Sequence, residues 1–297
     1  MQPKKVIVTS VIGIAILATV VIAAQIFRSS AAGQSFLETY PGFVAPVAGT
    51  PEGFPAWLGW QHFLNAFFLL LIIRTGWIIR SKKRPPAFWT RSDEGVLRFT
   101  GPKKRMGIYH WFHLSLDVLW ILNGVIFVVL LFVTGQWLRI VPTSWDVFPN
   151  AVSAGIQYAS FNWPPEYSWT NYNSLQVLSY FVTVFIAAPI AIKTGLRLSP
   201  AWPLEGWAAR AFPEKLARQW HAGVMFYFLA FIVVHVTLVF TTGVLANLNG
   251  MYAAQDSDSW LGFGIFSISL VVMIVAWFLA KPSILKPIAR LSGTVQG

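Results

Sequence analysis

The chain of 297 residues predicts an all-α membrane protein of six transmembrane helices, and three observations lead there. Its composition is 56% hydrophobic and only 11% charged, against roughly 25% charge in an ordinary soluble domain. Apolar runs long enough to cross a hydrocarbon layer of about 30 Å recur along the whole length. The basic residues gather in alternate connections between those runs.

The runs lie at 6–27, 57–79, 108–134, 174–194, 219–245 and 259–280. The first follows Met-Gln-Pro-Lys-Lys, and it is longer than the apolar core of roughly 7–15 residues usual in a signal peptide, which predicts an uncleaved anchor helix over 1–27. The second to fifth cover 57–245, and the helix at 259–280 follows them. Residues 1–297 then make a single integral membrane domain.

A formal charge of +11 raises the question of nucleic acid, and the placement of the charge answers it. Lys4 and Lys5 precede the first span, nine basic residues fill the connection from Arg80 to Arg105, and five lie between Lys193 and Arg218. With the three after the last span and Arg74 at a helix end, they account for 20 of the 22, leaving Arg28 and Arg139 on the opposite side. This is the positive-inside pattern, so the expectation is a multi-pass protein of the cytoplasmic membrane with both termini cytoplasmic and no nucleic-acid partner. Contact of the basic loops with anionic lipid or a partner protein is compatible with the same topology. The segment FNWPPEYSW (161–169) reads as an external loop between the third and fourth spans, its aromatic residues at headgroup level.

There are no cysteines, which excludes disulfides, iron–sulfur ligation, thiolate catalysis and covalently attached c-type haem. No repeat of fixed period, phosphate-cradling glycine loop or nucleophile elbow is present. Chemistry is left to the five histidines.

His221 and His235 are fourteen positions apart in RQWHAGVMFYFLAFIVVHVTLVF. That is just under four helical turns, so both rings leave one helix on nearly the same face, roughly 21 Å apart along its axis. The predicted topology puts His235 at the depth of His62, near the external side, and His221 at that of His110 or His113, near the cytoplasm. An isolated membrane histidine often serves only as an interhelical hydrogen-bonding group. Four at paired depths suit bis-histidine iron, which has no open position and passes electrons without binding oxygen. Zinc wants three or four protein ligands and is poorly served by two histidines per level. The expectation is two stacked b-type haems.

Gly76 follows His62 by fourteen positions in QHFLNAFFLLLIIRTG and reaches the depth of His221 on the same face. It offers a flat macrocycle a backbone free of side chains, as Gly124 would near the other haem, although small residues also serve close helix packing.

HFLNAFFLLLIIRTG resembles the His-x-x-Asn-Ala…Thr-Gly opening helix of the di-haem cytochrome b subunits of membrane-bound nickel–iron hydrogenases and formate dehydrogenases. The His221/His235 pair is similar to the last ligand helix of that family, which gives one ligand to each haem. The resemblance covers 57–245 and implies His62 with His235 on one iron and His113 or His110 with His221 on the other. It also implies electron transfer between a partner oxidoreductase of hydrogenase, formate dehydrogenase or molybdopterin type and the quinone pool. YNSLQVLSYF (172–181) and LVFTTGVLANLNGMY (238–252) resemble an actinobacterial-type branch found with molybdopterin oxidoreductases. Two departures stand out: an additional span lies at each end, and the first inverts the core relative to the family's usual arrangement.

Between the competing histidines, His113 lies about 12 Å of helix rise beyond Arg105 and His110 about 7.5 Å, so the deeper His113 is favoured as ligand. Arg74, Arg105 and Arg218 are candidates for pairing with haem propionates, or simple membrane anchors. Asp117, the one carboxylate well inside a span, suits proton transfer at a quinone site, a hydrogen bond to the His113 imidazole, or a bond to a neighbouring helix. Two other classes fit the same pattern: a haem-free scaffold or transporter whose histidines line a pathway, and a self-contained transmembrane reductase.

Overall fold

The computed structural model describes residues 3–81, 83–92, 103–163, 168–202 and 210–297. Lys82 and Arg98 of the basic connection, and residues 164–167 of the FNWPPEYSW loop, lie outside them. The fold is all-α, with six helices among the described residues long and apolar enough to cross a membrane. They are α1 (Pro3–Ser29), α2 (Ala56–Arg80), α3 (Ile108–Val133), α4 (Ser174–Leu198), α5 (Glu214–Thr241) and α6 (Leu261–Leu279). Each coincides with one of the expected spans within a few residues, because a run of aliphatic side chains has no other low-energy state in lipid than a helix that satisfies its own backbone.

The chain divides into two compact units. The first comprises Met1–Gly53 and Leu131–Phe185. Along α1, Ile7, Val11, Ile14 and Leu17 are all at least 60% exposed, as expected of a span with lipid around it. Ser30 ends that helix and caps the next, Ala31–Thr39, its hydroxyl accepting from the Gly33 amide at 3.0 Å. The helix Val147–Ala159 was not foreseen. It buries Asn150 and Gln157, which bond the Gly42 amide at 2.9 Å and the Pro41 carbonyl at 3.1 Å. Arg139, one of the two exceptions to the basic-residue pattern, is only 4% exposed. It donates to the carbonyls of Gly53 and Ser168 and lies over the Tyr172 ring. It is an internal clamp, which explains why it escapes the charge rule. Asn173 and Gln176 form a reciprocal capping box at the start of α4. The π turn Val182–Ala187 interrupts that helix just before Pro189, whose ring and missing N–H disrupt the regular ladder.

The second unit comprises Phe54–Leu130 and Ile186–Gly297. Val118, Leu122, Val125 and Val129 form an exposed apolar stripe on α3 at helical spacing, while Leu116 packs with Leu71 of α2 and Ala280 at the end of α6. After α5, Val244–Leu248 leads into a π turn, Asn249–Ala253. Asn249 is fully buried; its side chain accepts from Gly262 N and Ser259 Oγ and donates to Ser257 Oγ and Gln255 O. A small antiparallel sheet, also unforeseen, has the order β2-β1-β3 from β1 (Phe88–Arg91), β2 (Arg105–Gly107) and β3 (Gly293–Gln296). Trp89 at its centre donates to the Ala289 carbonyl at 3.1 Å and packs with Ile108 and Leu285.

Candidate functional site: two imidazole pairs

The second unit brings four of the five histidines together in twos. His62 of α2 faces His235 of α5, ring centres 6.1 Å apart and planes at 51°. His113 of α3 faces His221 of α5 at 6.3 Å and 73°. Because α5 is one uninterrupted α-helix from Glu214 to Thr241, the two pairs are separated by roughly 21 Å of helix rise. His110, one turn before His113, makes no ring contact with another histidine among the described residues.

The pairs differ in what surrounds them. Thr75 Oγ1 lies 2.8 Å from His113 Nδ1, and Thr194 Oγ1 lies 2.9 Å from His221 Nδ1. Each hydroxyl donates its single proton within its own helix, Thr75 to Leu71 O or Ile72 O and Thr194 to Ile190 O or Ala191 O. With that proton spent inside the helix, the threonine oxygen can accept from the imidazole Nδ1–H, the tautomer that keeps the Nε2 lone pair of the ring free. Gly76 and Gly195 follow these threonines, and a Cβ on either would stand 3.4 Å from His113 Cε1 or 3.5 Å from His221 Cε1. The same four-residue device, Ile-Arg-Thr-Gly at 73–76 and Ile-Lys-Thr-Gly at 192–195, thus seats both rings.

The other pair sits among aromatic groups. Tyr252, carried on the π turn, stands edge-on to His62 at 5.7 Å, and Phe231 stacks on His235 at 5.5 Å and 5°. His62 Nδ1 is buried with no hydrogen-bond partner. Tyr252 lies outside the spans, and burial pushes its hydroxyl pKa up to about 12.

The remaining candidates fall as follows. Gly76 is against the His113 ring, and Gly124 faces open space. Arg74 donates to Ala280 O at 2.9 Å and lies over the Trp277 ring, tying α2 to the end of α6. Arg105 lies over the Phe88 ring, and Arg218 pairs with Glu214 in an exposed position. Asp117 Oδ2 is 3.7 Å from His113 Nε2. That is an electrostatic neighbour rather than a hydrogen-bonded one, and the Nδ1 side of the ring is held by Thr75. Sequence reasoning missed Thr75, Thr194, Gly195 and Tyr252; the recurrence of Ile-Arg/Lys-Thr-Gly was the available signal for the first three.

A bundle of apolar helices with opposed imidazoles in its interior defines a membrane cytochrome of the b class. The chain belongs to the prokaryotic cytochrome b561 family, whose model matches residues 53–254. No curated protein and no solved structure matches it. It is therefore a multi-pass membrane protein that binds haem b and transfers electrons.

The residues fit that group. An iron held by one nitrogen of each of two rings, at about 2 Å from each, would need ring centres about 6 Å apart, and both pairs have that separation. In the His113–His221 pair the threonines engage Nδ1 of both rings, and His62 Nδ1 is buried without a hydrogen-bond partner. Among the described residues no cluster of three or more His, Cys, Asp or Glu competes for a metal.

Proposed function

We propose that the chain binds two b-type haems, one between His62 and His235 and one between His113 and His221, and conducts electrons between a partner oxidoreductase subunit and membrane quinone. The observation that carries this reading is the pair of matched ring separations, 6.1 and 6.3 Å, at two levels of a single helix. When bound, the haems supply one-electron chemistry. The chain supplies two imidazoles per iron, a fixed separation, and an apolar surround that keeps water from the path. With two imidazoles of the chain holding each iron, no open position would remain for oxygen.

The di-haem core in this reading is residues 57–245, supported by the family match over 53–254. The first and last spans flank it, and the distribution of basic residues supports cytoplasmic termini in the cytoplasmic membrane. The His113–His221 haem is then the one nearer the cytoplasm. Lipid covers the apolar stripes, and the partner subunit is of hydrogenase, formate dehydrogenase or molybdopterin type.

The test is a reduced-minus-oxidised visible spectrum and a haem-to-protein ratio on purified, haem-supplied protein. Two low-spin b haems per chain are expected. One haem, or none in a folded preparation, sinks the two-haem reading.

A further inference from the structure

The two histidine pairs are unequal in what their Nδ1 atoms meet. At one pair each Nδ1 lies within hydrogen-bond distance of a threonine oxygen, at 2.8 and 2.9 Å. At the other, His62 Nδ1 is buried and has no partner. A hydrogen bond from the far nitrogen of a metal-bound imidazole fixes the tautomer and raises the basicity of the ligating nitrogen. A more basic ligand favours the ferric over the ferrous state, and hydrogen bonding around the ligands is one of the levers a protein has on haem potential.

The arrangement is specific to these two rings. Thr75 is fully buried and Thr194 is 2% exposed, so water does not substitute for either hydroxyl. Each oxygen is held in place by its own hydroxyl's bond to a carbonyl of the preceding turn, so it is presented to the imidazole in one orientation. The glycine that follows faces the ring, and a Cβ there would stand at ordinary contact distance from Cε1, 3.4 and 3.5 Å. The two cradles come from α2 and α4, 119 positions apart by residue number, and they act on ligands from α3 and α5.

We propose that Thr75 and Thr194 are paired positioning residues for one haem only: each fixes its histidine with Nε2 toward the iron and strengthens that ligand, lowering the reduction potential of the His113–His221 haem. This rests on the two-haem reading above. The His62–His235 haem lacks this contribution on the His62 side.

The experiment is a potentiometric titration of the full chain in lipid nanodiscs, with haem content measured on the same samples. The variants are Thr75→Val, Thr194→Val, the double variant and the two serine replacements. The wild-type titration should resolve two one-electron components, and His221→Ala, which removes the threonine-seated haem, identifies which is which. Each valine variant should keep two haems and move that component alone to higher potential. The double variant should move it further, and serine should leave it at the wild-type value. Should a valine variant lose haem, Thr75→Cys and Thr194→Cys read the same shift, since a thiol is of similar size and a much weaker acceptor. An unmoved component in a two-haem sample, or equal movement of both components, overturns the proposal while leaving the two-haem reading intact. A wild-type preparation holding fewer than two haems overturns the reading on which it rests.

Discussion

His62 and His235, brought from different helices, face each other with ring centres 6.1 Å apart, although 173 positions separate them in the chain. His113 and His221 repeat the relationship at 6.3 Å. Since α5 contributes a ring to each pair, the two pairs can be dissected on one helix. His221→Ala and His235→Ala should each lower the haem-to-protein ratio from two to one, with different residual spectra. A variant that keeps both haems would refute the assignment.

The topology is open to a direct assay. A reporter fused after Lys83 should register on the cytoplasmic side and one fused at Glu166 on the external side. The opposite result would exchange the compartments that the two haems face.

Asn249 holds four hydrogen bonds from a fully buried side chain and so fixes the π turn from which Tyr252 reaches His62. Asn249→Ala removes all four, and at about 1 kcal/mol for each lost bond the chain should lose roughly 4 kcal/mol of stability. Thermal unfolding in detergent measures the loss. The spectrum of the His62–His235 haem should broaden while that of its counterpart stays unchanged, and equal disturbance of both would show that the effect is not local.

Burial raises the Tyr252 hydroxyl from 10.0 to about 12. A raised folded-state pKa means that the unfolded chain releases this proton first as pH climbs. Its stability contribution is complete below pH 10 and is lost progressively toward pH 12. Comparing the pH dependence of unfolding in the wild type and in Tyr252→Phe isolates it: the variant should lack this part of the alkaline decline, and identical curves would count against the buried hydroxyl.

Moving a unit charge through the whole membrane is worth about 2.3 kcal/mol per 100 mV, and the two histidine pairs differ in depth by roughly 21 Å of helix rise. In sealed vesicles of known orientation, an imposed potential should shift the relative reduction of the two haems, with the sign set by that orientation. No shift between equilibrating haems would mean that they lie at one depth.

The six spans and the histidine pairing were legible because both depend on regularities that sequence displays directly, apolar length and helical period. Fourteen residues between His221 and His235 mean two levels wherever the helix is continuous, and α5 is continuous. It is the ring of His113, the deeper of the two candidates, that meets His221. Thr75 and Thr194 were harder to read, because a threonine in an apolar helix usually bonds its own backbone. Both do so here as well, and nothing in one helix shows which foreign ring shares the oxygen. Tyr252 was hidden by the π turn, which breaks the periodicity that would have placed it beside His62. The sheet was illegible for another reason: strands of three or four residues are too short to show alternation, and their partners lie in distant parts of the chain.

That sheet also imposes an order of events during synthesis. Phe88–Arg91 finds one neighbour in Arg105–Gly107 soon after translation, but its other edge waits for Gly293–Gln296, some two hundred residues later. At about 5–20 residues per second the ribosome needs on the order of 10–40 s to deliver that strand. During that interval the edge is an unpaired template of the kind that invites wrong partners. Its closure therefore marks a chain whose last span has already been made, and a ribosome stalled before residue 293 releases a product with that edge still open.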